Sequence, residues 1–227
     1  MDYYMISYGL TFIAIIITLL AQLFISSSYS KYSKVKNSSG ITGADAARKI
    51  LDKNGLSDVK VVETSGNLTD HYDPRTKVVR LSSNIYRNNS IASVSVAAHE
   101  CGHAIQDKDG YTFMKIRSSL VPIVNFSSYA GYIAILLGCL FGSSNLIMIG
   151  ILAECAILLF QIVTLPVEID ASKRALEEIK KEHILENKEY SKGRTMLFAA
   201  ASTYIASLAT TLIEILRLIL MFRSRDD

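Results

Sequence analysis

The chain has 227 residues, half of them hydrophobic, and its formal net charge is +3 at neutral pH. No basic surface interleaved with aromatic residues stands out, so we expect no nucleic-acid partner. The sequence contains three cysteines, Cys101, Cys139 and Cys155. An odd set without paired spacing argues against a disulfide framework and is typical of a reducing compartment.

The N-terminal apolar segment, residues 5–25, has about the length that crosses a bilayer. A secretory signal peptide is the alternative, but Asp2 replaces the usual basic start and residues 26–30 are a poor cleavage site. We therefore predict an uncleaved anchor. Lysines follow it at positions 31, 34 and 36, so the positive-inside rule predicts an external N-terminus and places residues 26–118 in the cytoplasm.

A short amphipathic helix is predicted next. Thr42 and Asp45 resemble a capping box, which indicates a helix start, and the pattern continues to about Lys53. The dipeptide at positions 54–55, Asn-Gly, is a helix stop.

Two short strands are predicted at residues 59–63 and 77–82, separated by a turn-rich stretch over residues 66–75. An edge strand of a small peptidase core can bind an extended peptide by β-addition. The segment 77–82 is our candidate for that strand, and a purely structural strand is the alternative.

The most informative motif is at residues 99–103, which read H-E-C-G-H. An apolar run precedes it, with Asn89 or Ser90 as the predicted N-cap, so the motif should be helical. His99 and His103 would then project from one helix face and could share a cation, with Glu100 beside it as a base. Glycine is costly within a helix, and we therefore expect another backbone to pass close to Gly102.

Two further apolar runs, residues 120–141 and 146–165, are separated only by residues 142–145 and predict a transmembrane hairpin. Pro166 is typical of a first helical turn, and we expect it to open a charged helix that continues to about Asn187. A fourth apolar run covers residues 196–222. It contains Glu214 and Arg217, whose spacing predicts an ion pair.

A catalytic zinc held by two histidines needs a third protein ligand. Glu168 is the predicted ligand, and Asp170 is the alternative. Asp170 could instead hydrogen-bond a ligand imidazole or complement the helix dipole. His71 or Tyr72 could stabilise an oxyanion, but a turn histidine bound to backbone is an equally good interpretation of His71.

The predicted fold is an α-rich integral membrane protein with about four transmembrane helices and a small α+β, zincin-like catalytic core. We expect five parts: a membrane anchor at 1–25, a catalytic core at 26–118, a transmembrane hairpin at 119–165, a third-ligand helix at 166–195 and a fourth transmembrane segment at 196–222.

Four stretches, residues 66–74, 79–82, 96–106 and 165–172, together resemble the YugP-like bacterial neutral zinc metallopeptidases. That family is similar to the gluzincin class of membrane peptidases, which includes the HtpX-like proteases. In those proteases an Asp follows the ligand Glu by four residues, whereas Ser172 stands at this position here. The resemblance therefore implies that any carboxylate partner of a ligand comes from elsewhere, such as Asp170.

Together, motif and resemblance predict a multi-pass protein of the bacterial plasma membrane whose site faces the cytoplasm. It would hold one Zn²⁺ per chain and hydrolyse a peptide or membrane-protein substrate with a zinc-activated water and Glu100 as general base. The alternative is a catalytically inactive zinc-binding membrane scaffold or chaperone-like protein. Such a structural site normally has Cys or His as its fourth ligand, but Cys101 is predicted to lie on a different helix face from the histidines.

Overall fold

The computed structural model describes residues 3–226 and is α-rich, as the sequence predicts. Its elements in chain order are α1 (Tyr3–Tyr32), α2 (Gly43–Lys53), β1 (Lys60–Thr64), β2 (His71–Asp73), β3 (Val78–Ser82), α3 (Ser83–Arg87), α4 (Ile91–Lys108), α5 (Thr112–Phe141), α6 (Ser144–Lys181) and α7 (Asn187–Asp226).

Four of the described helices are long and apolar enough to cross a membrane, which confirms the predicted membrane-protein architecture. These segments are Met5–Tyr32, Thr112–Phe141, Ser144–Lys181 and Asn187–Phe222, with mean hydropathies of 2.3, 1.7, 2.5 and 2.0. Many of their large apolar side chains are exposed, including Phe126 and Leu152. Such exposure is expected where the surrounding solvent is lipid.

The chain divides into two compact units. The membrane unit contains the chain up to Gln22, Lys115–Pro166, and the chain from Thr203 onward. The core unit contains Leu23–Met114 and Val167–Ser202.

Within the membrane unit, α5 and α6 form the predicted hairpin, and the turn between them contains Gly142 and Ser143. The two helices approach closely at Gly131, where an added Cβ would lie 2.5 Å from the Ala153 Cβ. Small residues allow such contact between transmembrane helices. On α7, Glu214 and Arg217 form the ion pair that their spacing predicted.

In the core unit, the predicted capping box opens α2. The Thr42 hydroxyl accepts from the Asp45 amide at 3.1 Å, and the Asp45 carboxylate accepts from the Thr42 amide at 3.0 Å. The helix ends at Lys53, as predicted. Its apolar face is fully buried in the core, with Ile50 and Leu51 among the largest enclosed side chains.

The sheet has three strands in the order β1-β3-β2, with β1 parallel and β2 antiparallel to β3. The two predicted strands are present within one residue of their expected bounds, but β2 lies in the stretch predicted to be only turns. The prediction that residues 77–82 form an edge strand is wrong. Because β1 and β2 both pair with β3, its backbone groups bond on both sides, and the edges belong to β1 and β2.

Helix α4 begins where predicted, with Ser90 as its N-cap and the Ser90 hydroxyl accepting from the Ser93 amide at 3.0 Å. The predicted start of a helix at Pro166 is wrong, because α6 runs through this residue and ends at Lys181 rather than near Asn187. A proline removes one backbone hydrogen bond, but an apolar environment strongly favours helical pairing of the remaining backbone groups.

The expected close backbone approach is found at Gly102. A Cβ at this position would lie 2.4 Å from the Ala171 carbonyl oxygen on α6. Only a residue without a side chain permits α4 and α6 to lie this close.

We expect Gly102→Ala to destabilise the protein, although alanine is favoured over glycine within a helix by about 1 kcal/mol. The methyl group would overlap a backbone oxygen, and overpacking of this kind costs about 1–3 kcal/mol. Thermal unfolding in detergent, followed by circular dichroism, measures the effect as a lower Tm.

Gly9→Ala is the matched control, since Gly9 is also helical and an added Cβ would meet no atom within 4 Å. Its Tm should equal or exceed that of the parent. An unchanged Tm in Gly102→Ala would contradict the proposed steric constraint.

Candidate metal centre

The two motif histidines lie one turn apart on α4, which positions their rings side by side. The ring centroids of His99 and His103 are 4.8 Å apart, with an interplanar angle of 82°. Their side chains are 15% and 9% exposed. The pair is therefore largely enclosed and keeps a small opening at His99.

Glu168 on α6 completes the group. One of its carboxylate oxygens, Oε2, lies 3.2 Å from His99 Nε2 and 3.6 Å from His103 Nε2. The Glu168 side chain is only 3% exposed. The structure thus brings together the two histidines and the acid that the sequence ranked first, and places all three in the core unit.

The distances from Glu168 to the two imidazoles fit a tetrahedral zinc site. Zinc–nitrogen and zinc–oxygen bonds of about 2.0–2.2 Å place neighbouring ligand atoms roughly 3.3–3.6 Å apart. The two separations from Glu168 Oε2, 3.2 and 3.6 Å, are close to this range, and all three ligand atoms lie within 4.8 Å of one another. Two imidazoles and one carboxylate are also a donor set of catalytic zinc sites, in which the fourth position stays open. His99, His103 and Glu168 could therefore hold a metal ion.

Glu100 is buried beside this group, with 8% of its surface exposed. Burial raises the pKa of its carboxyl to about 7, and the nearby Glu168 and Asp70 carboxylates add to the rise. The His99 imidazole opposes it, as does a hydrogen bond from the Tyr72 backbone amide to the Glu100 carboxylate. The site thus contains a second, enclosed carboxyl group.

Two residues to which the sequence analysis gave no role at the site contact the histidines through Nδ1, the ring nitrogen that does not face Glu168. His99 Nδ1 lies 3.1 Å from the Ser172 hydroxyl, and His103 Nδ1 lies 3.0 Å from Gln106 Oε1. The helical spacing of His103 and Gln106, three residues apart on α4, was a signal that could have indicated this contact. Both Nδ1 atoms therefore have partners, while both Nε2 atoms face Glu168.

Asp170, the alternative ligand, has Gln106 and Arg174 as its hydrogen-bond partners. Its carboxylate accepts from Gln106 Nε2 at 2.8 Å and from Arg174 Nε at 2.6 Å. Gln106 thus lies between Asp170 and the ligand imidazole of His103. The hydroxyl of Ser172, at the position where the related proteases have Asp, contacts the other imidazole directly.

The side chains of His71 and Tyr72 donate hydrogen bonds to Thr69 and Asp107. His71 is exposed, and its Nδ1 lies 2.8 Å from the Thr69 carbonyl oxygen, so Nδ1 carries the hydrogen. The Tyr72 hydroxyl donates to Asp107 at 2.9 Å, and burial together with this bond raises the Tyr72 pKa. The oxyanion role of either side chain stays a prediction.

Cys101 faces away from the histidines, as its helix position predicted. The thiol is fully buried and lies 3.6 Å from the Ala47 carbonyl oxygen on α2. Burial raises the pKa of this thiol. All three cysteines are free, in agreement with the absence of a disulfide framework.

Comparisons with known proteins identify the family of the chain. The family described as "Putative neutral zinc metallopeptidase" matches residues 7–223. The "Putative membrane protease YugP" of Bacillus subtilis (strain 168) is 45% identical over 218 residues, which cover 96% of this chain and 97% of that protein. No solved structure matches the chain. These matches confirm the resemblance inferred from the motifs: the chain belongs to the family of neutral zinc metallopeptidases.

Proposed function

We propose that this membrane protein is a zinc-dependent peptidase that hydrolyses peptide bonds, with His99, His103 and Glu168 as its metal ligands. The observation that carries the proposal is the convergence of the three ligand atoms, all within 4.8 Å of one another, beside a buried carboxyl group. The family to which the chain belongs supports zinc as the metal.

When bound, zinc would supply Lewis-acid chemistry by polarising a water molecule and the carbonyl group of the peptide bond. The two Nε2 atoms and the Glu168 carboxylate would hold it beside the middle of α4. The single group of three such ligands among the described residues supports one zinc per chain.

Glu100 would act as the general base. Glu100 follows His99 on the same helix, and its carboxyl group is enclosed. In this position it would accept the proton of the attacking water and then deliver that proton to the leaving amine. Burial excludes competing solvent and strengthens the electrostatic interactions of the carboxylate.

The substrate would be an extended peptide, either free or part of a membrane protein. Of the two edge strands, β2 packs against α4, so a peptide added along β2 would lie next to the helix that carries the proposed base. We therefore assign to β2 the peptide-binding role that was predicted for residues 77–82.

Glu100→Gln should abolish peptide hydrolysis and leave zinc binding intact. The amide keeps the size of the side chain but accepts no proton, and general-base loss costs about 10²–10⁴-fold in rate. Zinc content by elemental analysis and hydrolysis of a quenched-fluorescence peptide library, both on detergent-purified protein, give the two readouts.

Glu168→Ala should lose both zinc and hydrolysis, because it removes a proposed metal ligand. This result would distinguish the ligand role of Glu168 from the base role of Glu100. Exposed Glu177, on the same helix, serves as the matched control through Glu177→Ala, which should retain both. Full zinc-dependent activity in Glu100→Gln would show that another group is the base.

We also propose that the core unit faces the cytoplasm of a bacterial cell, with the chain crossing the plasma membrane several times. The basic residues Lys31, Lys34 and Lys36 directly after the first apolar segment support this orientation. A substrate would then be reached from the cytoplasmic side.

Lys188→Cys tests the orientation, since Lys188 is exposed at the first turn of α7. In a background where Cys139 and Cys155 are replaced by Ala, a membrane-impermeant maleimide should label this cysteine in inverted vesicles and not in intact cells. The background protein, which keeps only buried Cys101, is the control. Labelling in intact cells would reverse the proposed orientation.

A further inference from the structure

Gln106 is the most completely enclosed polar side chain next to the metal centre. It is 0% exposed and lies on α4, three residues after His103. Its Oε1 is 3.0 Å from His103 Nδ1, and its Nε2 is 2.8 Å from both the Val167 carbonyl oxygen and the Asp170 carboxylate. The oxygen of this amide and both of its N–H groups therefore have hydrogen-bond partners.

These partners determine how the amide is oriented. The Val167 carbonyl and the ionised Asp170 carboxylate can only accept hydrogen bonds, so the nitrogen end of Gln106 must face them. Its oxygen must then face His103. Since an amide oxygen only accepts, His103 must carry its hydrogen on Nδ1. The lone pair of Nε2 is thereby left facing Glu168.

The same amide connects the two helices that supply the ligands. Val167 precedes the ligand Glu168 on α6, and its carbonyl is bound directly to Gln106. Asp170 is held by Arg174, which also bonds Asp109 at the C-cap of α4. A continuous set of hydrogen bonds thus runs from His103 through Gln106 to both α6 and the end of α4.

The partner of His99 lacks this constraint. The Ser172 hydroxyl can donate or accept, so its contact with His99 Nδ1 is compatible with either position of the ring hydrogen. The two histidines therefore differ: one has a partner that dictates the tautomer, and the other has a partner that adapts to it.

We propose that Gln106 is a positioning residue that locks His103 in the Nδ1–H tautomer and fixes α4 against α6 so that both ligand nitrogens meet Glu168. This inference rests on the proposed metal site. Partners of metal-bound imidazoles set ring orientation and tautomer, and their loss costs about 10- to 100-fold in metal affinity.

The test uses full-length protein in detergent, labelled with ¹⁵N-histidine. In the metal-free parent, ¹⁵N NMR should show the His103 hydrogen on Nδ1. The signal is identified among the four histidines as the one that disappears in His103→Ala. A His103 ring without a hydrogen on Nδ1 in the parent would overturn the proposal without any further variant.

Gln106→Met keeps the length of the side chain and removes its hydrogen bonds. It should lose the Nδ1–H preference and bind zinc about 10- to 100-fold more weakly, as measured by competition with a chelating dye. Unchanged zinc affinity in folded Gln106→Met, or an unchanged Nδ1–H preference of His103 in that variant, would overturn the proposal.

Two controls separate this inference from general damage and from failure of the metal site. Ser172→Ala removes the partner of the other ligand imidazole and should weaken zinc binding less than Gln106→Met does. Gln161→Met makes the same chemical change in the membrane unit and should leave zinc affinity unchanged. A parent protein that binds no zinc would overturn the proposed function. If the parent binds zinc and Gln106→Met binds it with equal affinity, only the role of Gln106 is overturned.

Discussion

Gly102 and Ala171 meet with so little room that a methyl group at position 102 would lie 2.4 Å from a backbone oxygen. The candidate site depends on this contact, because the three ligand atoms come from two helices that are distant in sequence. Close packing of α4 and α6 brings Glu168 within 3.2–3.6 Å of the two imidazoles. It also lets Gln106 reach the α6 backbone. Gly102 therefore allows the two helices to approach each other, whereas His99 and His103 in the same motif supply the candidate ligand atoms.

The surroundings of the site favour a catalytic over a purely structural zinc. A structural site normally has four protein ligands, most often cysteine and histidine. The nearest thiol in the sequence, Cys101, is buried against α2 with its hydrogen directed at Ala47. The additional enclosed group is Glu100, which is suited to proton transfer. A purely structural zinc site would not need this buried carboxyl group, since its burial costs stability without adding a ligand.

Local patterns predicted much of the fold and the arrangement of the site. Helix periodicity and capping residues located α2 and α4, and the motif spacing placed His99 and His103 on one face. The rest depended on tertiary context. Strand β2 has only three residues, and its strand conformation comes from pairing with β3, which also made β3 central. Pro166 was interpreted as a helix start because a single sequence does not show that α6 continues through it. The role of Gln106 required knowing that Val167 and Asp170 approach from another helix.

In the proposed site, two imidazoles and one carboxylate hold zinc with one position open to water. X-ray absorption at the zinc edge of the purified protein measures the ligand atoms directly. We expect only nitrogen and oxygen neighbours at about 2.0–2.2 Å, with the scattering pattern of two imidazole rings. A sulfur neighbour at about 2.3 Å, or four protein ligands that leave no place for water, would contradict it.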